Sequence, residues 1–259
     1  MRAELDFGGQ ADPGGIVLTW SPIPVGVRIV DPGAAAGPVS VTVRARSKAS
    51  GGDLVFGSSV ASTKASKLIL ALPVDGSPTP MFVAGRFGRP SSSPGDVTIE
   101  VVLSASGAVL SATPVMVRIR KNAVALSAAE RGRFLVALKK INNKGAGTFA
   151  GLRLVHYEKG IYEAHFADGF LPWHRAYLLD LERQLQLIDS TVALPYWRFD
   201  EPAPRLFSRA FMGRPDPTTG TVILNSDNPL QDWFTDGRVG IDRRPKFNTQ
   251  TSKASGTSR

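Results

Sequence analysis

Apolar residues in the first 121 positions recur with the two-residue period that is typical of β-strands. The run Val39-Ser40-Val41-Thr42-Val43 alternates strictly, as a strand with one buried face does. Similar short runs, rich in β-branched residues, recur at residues 16–20, 68–72, 97–103 and 115–119. Turn dipeptides separate them: Asp75-Gly76, Pro94-Gly95 and Ser106-Gly107. Regularly spaced strands of this kind predict an immunoglobulin-like β-sandwich over residues 1–121.

Near residue 122 the spacing of the apolar residues changes to the one that is typical of helices. Ser127 is followed three positions later by Glu130, which is the spacing of a helix capping box. Apolar residues then recur at helical spacing: Phe134, Leu135, Leu138 and Ile141. The run 142–145, which ends in glycine, predicts the end of this helix. A second helix is expected from Phe149 through His156.

A third helix is predicted to begin at Pro172 and to run to about Ile188, because proline suits the first helical position. Its apolar stripe consists of Leu178, Leu181 and Leu185. From about residue 200 the chain is rich in proline and is expected to be loop-like. We therefore predict a multidomain β plus α protein, with a partial helical domain over residues 122–241 and a polar tail over residues 242–259.

Composition narrows the class of protein. Apolar residues make up 42% of the 259 positions, which is enough for a sizeable core, and no apolar run is long enough to cross a bilayer. The first residues mix charges and show no signal peptide, so we expect a cytoplasmic location unless a partner directs export. The net charge of +9 comes from scattered Lys and Arg, without the basic face of a nucleic-acid-binding protein.

The chain has no cysteine, which excludes disulfides, iron–sulfur clusters, thiolate zinc sites and a cysteine nucleophile. Imidazole and carboxylate groups remain as metal ligands. All three histidines of the chain, His156, His165 and His174, lie in one segment of 19 residues and follow one another at intervals of nine. Imidazole without thiolate suits copper, zinc, iron or nickel, so the spacing predicts a metal site.

The segment HFADGFLPWHRAYLLDLE, from His165 to Glu182, narrows the choice of metal. It resembles the copper-A signature of tyrosinases, catechol oxidases and molluscan hemocyanins, H-x4-F-apolar-x-F/W-H-R-x2-apolar-x3-E, at every fixed position. The later run Leu194-Pro195-Tyr196-Trp197 is similar to a segment that follows the copper-A helices in this family. The resemblance covers about residues 126–235, the first part of the family's catalytic domain.

The resemblance implies that the three histidines hold one copper ion at roughly 2 Å. It places Phe170 and Trp173 beside the site, as apolar side chains that exclude water from it. It places Arg175 and Glu182 in positions that orient the ligands or pack the helices. No catalytic residue beyond the metal ligands and no site for another cofactor can be assigned.

The family's complete site holds two copper ions, each on three histidines, and the second set belongs to a copper-B region that this sequence does not contain. We therefore expect a fragment, a piece of a nicked protein or a subunit, completed by a copper-B half or by a second chain. Without that half, the apolar faces carrying Leu178, Leu181 and Leu185, together with Phe134 and Leu138, are expected to be exposed.

The resemblance implies oxidation of phenols or o-diphenols to o-quinones with O2, once the copper-B half is present. Two alternatives stay open at this point. One is reversible O2 binding, as in hemocyanins. The other is a truncated, non-catalytic chain that binds copper or a protein partner, including a homodimer in which two copper-A sites face each other.

Overall fold

The computed structural model describes residues 1–9, 11–12, 15–165, 168–216, 218–235 and 237–241. The expected polar tail, 242–259, lies outside the described residues, as do Phe166 and Ala167 of the signature. The chain divides into two compact units, Met1–Ile119 (unit 1) and Arg120–Arg259 (unit 2). The described part of the chain is β plus α overall, with strands in unit 1 and helices in unit 2.

Unit 1 is built from strands that form two sheets. The strands are β1 (Arg2–Asp6), β2 (Ala11–Asp12), β3 (Gly15–Leu18), β4 (Ile23–Asp31), β5 (Val39–Ser47), β6 (Leu54–Gly57), β7 (Lys67–Leu72), β8 (Thr79–Gly85), β9 (Val97–Leu103) and β10 (Val109–Val117). One sheet has the order β1-β4-β8-β6 and the other β2-β3-β10-β9-β5-β7. Strands β3 and β10 pair in parallel, with Ile16 opposite Val115.

The two sheets share one hydrophobic core. Val27 of β4 and Met81 of β8 are fully buried, and so are Val41 of β5 and Ile99 of β9 from the other sheet. The predicted alternation in residues 39–43 is confirmed, because the valines are buried while the hydroxyl residues between them are more exposed. Burial of valine-rich faces is the main stabilising contribution of this unit.

The predicted turns lie between these strands. Gly76, Gly95 and Gly107 have φ angles of 82°, 63° and 74°, a left-handed region that glycine enters without steric cost. Each of these glycines therefore allows a tight turn in which the backbone of a residue with a side chain would be strained.

The described part of unit 2 contains four helices: α1 (Ala128–Asn142), α2 (Thr148–Glu158), α3 (Gly160–Glu163) and α4 (Phe170–Ile188). Short 3₁₀ turns span Ala123–Ala125, Asn143–Gly145 and Pro229–Asp232. Two hairpins follow the helices, β11 (Arg214–Pro215) with β12 (Val222–Ile223) and β13 (Phe234–Thr235) with β14 (Arg238–Val239). No helix in the described part of the chain is long and apolar enough to span a membrane.

The capping box at the start of α1 is confirmed. The Glu130 amide donates to Ser127 Oγ at 3.2 Å, and the Ser127 amide donates to Glu130 Oε2 at 2.8 Å. Asn143 ends the helix with a left-handed φ of 43°. Helix α4 begins at Phe170, two residues before the start predicted at Pro172. Proline is tolerated there because amides in the first turn have no helical acceptor to lose.

The core of unit 2 corrects the expectation that the helix faces are exposed. Phe134 and Leu138 of α1 and Leu185 of α4 are buried. They are covered by apolar residues from the loops after α4: Val192, Ala203, Leu206, Phe207, Phe211, Leu230 and Trp233. Leu181 is half-buried and Leu178 remains 42% exposed, so the expectation holds only for the first part of α4.

Candidate metal centre

Three short pieces of unit 2 bring the histidines together. His156 lies in the last turn of α2, His165 directly follows α3, and His174 lies in the second turn of α4. We call these residues the three-histidine cluster. His165 is exposed, whereas His156 and His174 are half-buried.

The cluster has the dimensions of a metal site. One ligand nitrogen from each ring can be chosen so that all three lie within 4.8 Å of one another. The ring centroids are 5.1 Å apart for His156 and His165, 5.5 Å for His156 and His174, and 5.3 Å for His165 and His174. Nitrogens bound to one ion at roughly 2 Å lie at most roughly 4 Å apart, so small ring movements would close the site. An all-imidazole donor set suits copper.

A hydrogen bond fixes the direction of the His174 ring. Its Nδ1 lies 2.8 Å from the backbone carbonyl of Phe170, one helical turn earlier. Because a carbonyl only accepts, Nδ1 carries the proton and donates it, which leaves Nε2 as the nitrogen able to bind a metal ion.

Aromatic side chains surround His156. Trp173 and Tyr177 stack with centroids 5.2 Å apart and an interplanar angle of 14°. Their rings lie 5.8 Å and 5.3 Å from the ring of His156. The Trp173 indole N–H donates to Glu163 Oε2 at 3.1 Å, which ties α4 to α3. A side chain at Gly160 would meet the Trp173 ring at 3.3 Å, so glycine allows this close packing.

The environment of His156 favours its neutral form. Burial lowers the pKa of His156, and the nearby His165 and His174 lower it further by charge repulsion. A neutral imidazole is the form that binds a metal ion. Burial also raises the pKa of Tyr177, so this phenol stays protonated near neutral pH.

The residues predicted around the ligands have different surroundings. The Phe170 ring lies 4.3 Å from the ring of His174, yet Phe170 is 48% exposed, so one side of the cluster is open to solvent. Trp173 packs beside the cluster as described above. Arg175 is exposed and makes no ion pair with any described residue.

Glu182 lies away from the histidines and joins separate segments of unit 2. Its carboxylate accepts two hydrogen bonds from the Arg120 guanidinium, at 3.0 and 2.8 Å. Oε1 also accepts the Leu194 amide at 2.8 Å. These contacts join α4 to the irregular segments at Arg120 and Leu194, and the two roles predicted for Glu182 stay predictions.

Two residues of this site were missed at the level of sequence. Tyr177 stands four positions after Trp173, which is the spacing of residues on one helix face, and could have been found from that spacing. Glu163 offered no comparable signal, because its contact with Trp173 depends on how α3 is placed.

Comparison with known proteins identifies this part of the chain. Residues 135–259 match the family model described as the common central domain of tyrosinase. This part of the chain is similar to the tyrosinase family. The family comprises type-3 copper oxidoreductases, and the three-histidine cluster fits metal binding of that kind.

Several known proteins, most of them tyrosinases, are similar to part of this chain. A tyrosinase of Streptomyces glaucescens is 39% identical over 108 residues, covering 40% of this chain and 38% of the relative. Grixazone synthase of Streptomyces griseus is 39% identical over 110 residues, covering 38% of this chain and 36% of the relative. A tyrosinase of Gallus gallus is 33% identical over 98 residues, covering 37% of this chain and 18% of the relative. The chain thus spans less than two fifths of the length of these relatives.

Proposed function

We propose that this chain supplies the copper-A half of a type-3 copper oxidase that converts phenols or o-diphenols to o-quinones with O2. The observation that carries the proposal is the three-histidine cluster, whose ligand nitrogens lie within 4.8 Å of one another in a segment that is similar to the tyrosinase family. The second copper ion and its ligands would come from a copper-B half, in a missing segment or a partner chain.

In this proposal the chain's residues hold and orient one copper ion. His156, His165 and His174 would bind it, and the carbonyl of Phe170 would keep Nε2 of His174 directed at it. Trp173 and Tyr177 would exclude water from the side of His156. A copper pair supplies the exchange of electrons with O2 that these side chains cannot provide.

The proposal has a structural part as well. Helices α2 and α4, which carry His156 and His174, would form half of a four-helix bundle, and the copper-B helices would cover the open side next to Phe170. Unit 1 would be an immunoglobulin-like domain, which its two sheets around one core support.

The proposal is tested by the copper content and the oxidase activity of the 259-residue chain. We expect one copper ion per chain after reconstitution and less than about a tenth of that in His174→Ala, because two imidazoles hold copper far more weakly than three. The copper-loaded monomer should oxidise catechol no faster than the same amount of copper bound to a small imidazole ligand. The reaction is monitored by O2 uptake and by quinone absorbance.

A matched control is Tyr157→Phe, a change at an exposed residue next to His156, which should leave the copper content unchanged. Copper binding that survives His174→Ala would place the metal elsewhere and overturn the ligand assignment. Rapid catechol oxidation by the monomer would overturn the need for a copper-B half.

A further inference from the structure

A cleft of about 420 Å³ opens beside the start of α1, and none of its lining residues belongs to the three-histidine cluster. The 3₁₀ turn Ala123–Ala125, the beginning of α1 and the loop 204–211 contribute its walls. Clefts of roughly 300–1,000 Å³ are the usual size for small-molecule sites.

The floor of the cleft is apolar and held in place. Phe211 is 1% exposed, and its ring meets that of Phe134 edge to face at 6.1 Å. The Ala123 amide, at the start of the 3₁₀ turn, donates to the carbonyl of Tyr196 at 2.7 Å. A preformed apolar surface binds an apolar group without first having to be ordered.

Two arginines give the cleft a positive rim. Arg131 is half-buried and Arg205 is exposed, and neither guanidinium group has a hydrogen bond or ion pair with any described residue. No carboxylate lines the cleft in the described part of the chain. The hydroxyl of Ser208 donates to the Arg205 carbonyl at 2.8 Å and so stabilises the loop. The guanidinium groups therefore remain as the donors available to a ligand in the cleft.

We propose that this cleft binds a small organic carboxylate with an apolar body. Arg131 and Arg205 would hold the carboxylate, since a guanidinium group donates two parallel hydrogen bonds to such a group. Val124 and Leu126, both half-buried, would contact the apolar body.

The probe for this proposal is cyclohexanecarboxylate, titrated calorimetrically into the 259-residue chain at low salt with a chelator present. It should bind at least roughly tenfold more tightly than cyclohexylmethanol, which lacks the charge, and than acetate, which lacks the apolar body. Arg131→Gln and Arg205→Gln should each weaken its binding roughly tenfold.

Two control variants separate the cleft from other causes of binding. Arg209→Gln changes an exposed arginine of the same loop that does not line the cleft, and it should leave the affinity unchanged. His174→Ala should also leave it unchanged. The proposal is overturned if the alcohol binds as tightly as the acid, if Arg209→Gln weakens binding as much as Arg205→Gln, or if His174→Ala abolishes it. If the circular dichroism spectrum shows that Arg131→Gln does not fold, Arg205→Gln, a change at an exposed residue, tests the proposal by itself.

Discussion

The backbone carbonyl of Phe170 shows how a single hydrogen bond can prepare a metal ligand. It holds the proton of His174 on Nδ1. The ring is therefore already in the tautomer whose Nε2 has a free lone pair for a metal ion. The sequence indicated which histidines to consider. It could not indicate this orientation, because the carbonyl is a backbone group whose direction depends on where α4 begins.

Asp96 of unit 1 gives a prediction at the same scale. Burial raises the pKa of Asp96, but hydrogen bonds from Ser91, Gly52, Ser92 and Ser93 outweigh it and hold the pKa below its ordinary value of 3.8. Asp96→Asn should lower the free energy of unfolding of unit 1 by about 2 kcal/mol at neutral pH, because buried amides lose their charged acceptor.

The pH dependence of this effect follows from the lowered pKa. The stabilisation by Asp96 is fully present above its unfolded pKa and is lost as the pH falls through the folded pKa. Hydrogen exchange of unit 1 amides, measured at neutral pH and below the lowered folded pKa of Asp96, should show the difference between the proteins disappear in acid. Asp75→Asn, an exposed turn, is the control and should change exchange much less. A difference that persists unchanged in acid would contradict the prediction.

At the scale of elements, α4 has one face with two different environments. Leu171, Leu178 and Leu185 recur every seven residues and so lie on one side of the helix. Their exposures are 76%, 42% and 0%. The loops after α4 therefore cover its C-terminal half and leave its N-terminal half, which carries His174, uncovered.

The ion pair between Glu182 and Arg120 holds the covered half of α4 in place. Glu182→Ala should lower the free energy of unfolding of unit 2 by about 2 kcal/mol, less than for a fully buried pair, because the Arg120 side chain is 43% exposed. Urea unfolding followed by tryptophan fluorescence measures this, since three of the four tryptophans, Trp173, Trp197 and Trp233, belong to unit 2.

The matched control for Glu182 is Asp180→Ala on the same helix. Asp180 pairs with Arg183 at 3.6 Å on the exposed surface, and such pairs contribute little. Equal destabilisation by the two substitutions would show that any lost carboxylate on α4 has this effect, and that the contacts of Glu182 with Arg120 and Leu194 are not special.

Local sequence signals predicted the elements they control. The capping box at Ser127 and the strand over residues 97–103 are present as expected. Strands β4 and β8 were not among the runs singled out, because Pro24, Gly26 and Pro80 interrupt them. The paired register places Gly26 opposite Pro80, and a side chain at Gly26 would meet Pro78 at 3.3 Å and Asp6 at 3.7 Å. Propensity alone does not reveal such cross-strand compensation.

At the scale of the whole molecule, uncovered apolar residues lie beside the three-histidine cluster. Besides Leu171 and Leu178 they include Leu154 and Val155 of α2, at 48% and 47% exposure. Exposed apolar residues on neighbouring helices favour association. The chain should therefore self-associate at raised concentration, and Leu171→Gln combined with Leu178→Gln should lower the association constant roughly tenfold.

Sedimentation velocity over a range of concentrations measures this association. Leu187→Gln is the matched control, because Leu187 is 79% exposed on the same helix but lies off the face shared by Leu171 and Leu178. A chain that stays monomeric at every concentration contradicts the prediction. An equal effect of Leu187→Gln would show that association does not depend on this face.

The spacing of the three-histidine cluster along the chain has a consequence for biosynthesis. All three rings come from residues 156–174, so they leave the ribosome close together, before the loops that later cover α4 have emerged from it. Closing so short a loop costs little conformational entropy. Metal capture can thus precede completion of unit 2, and a nascent chain in a copper-containing compartment would fold around an ion that it already holds.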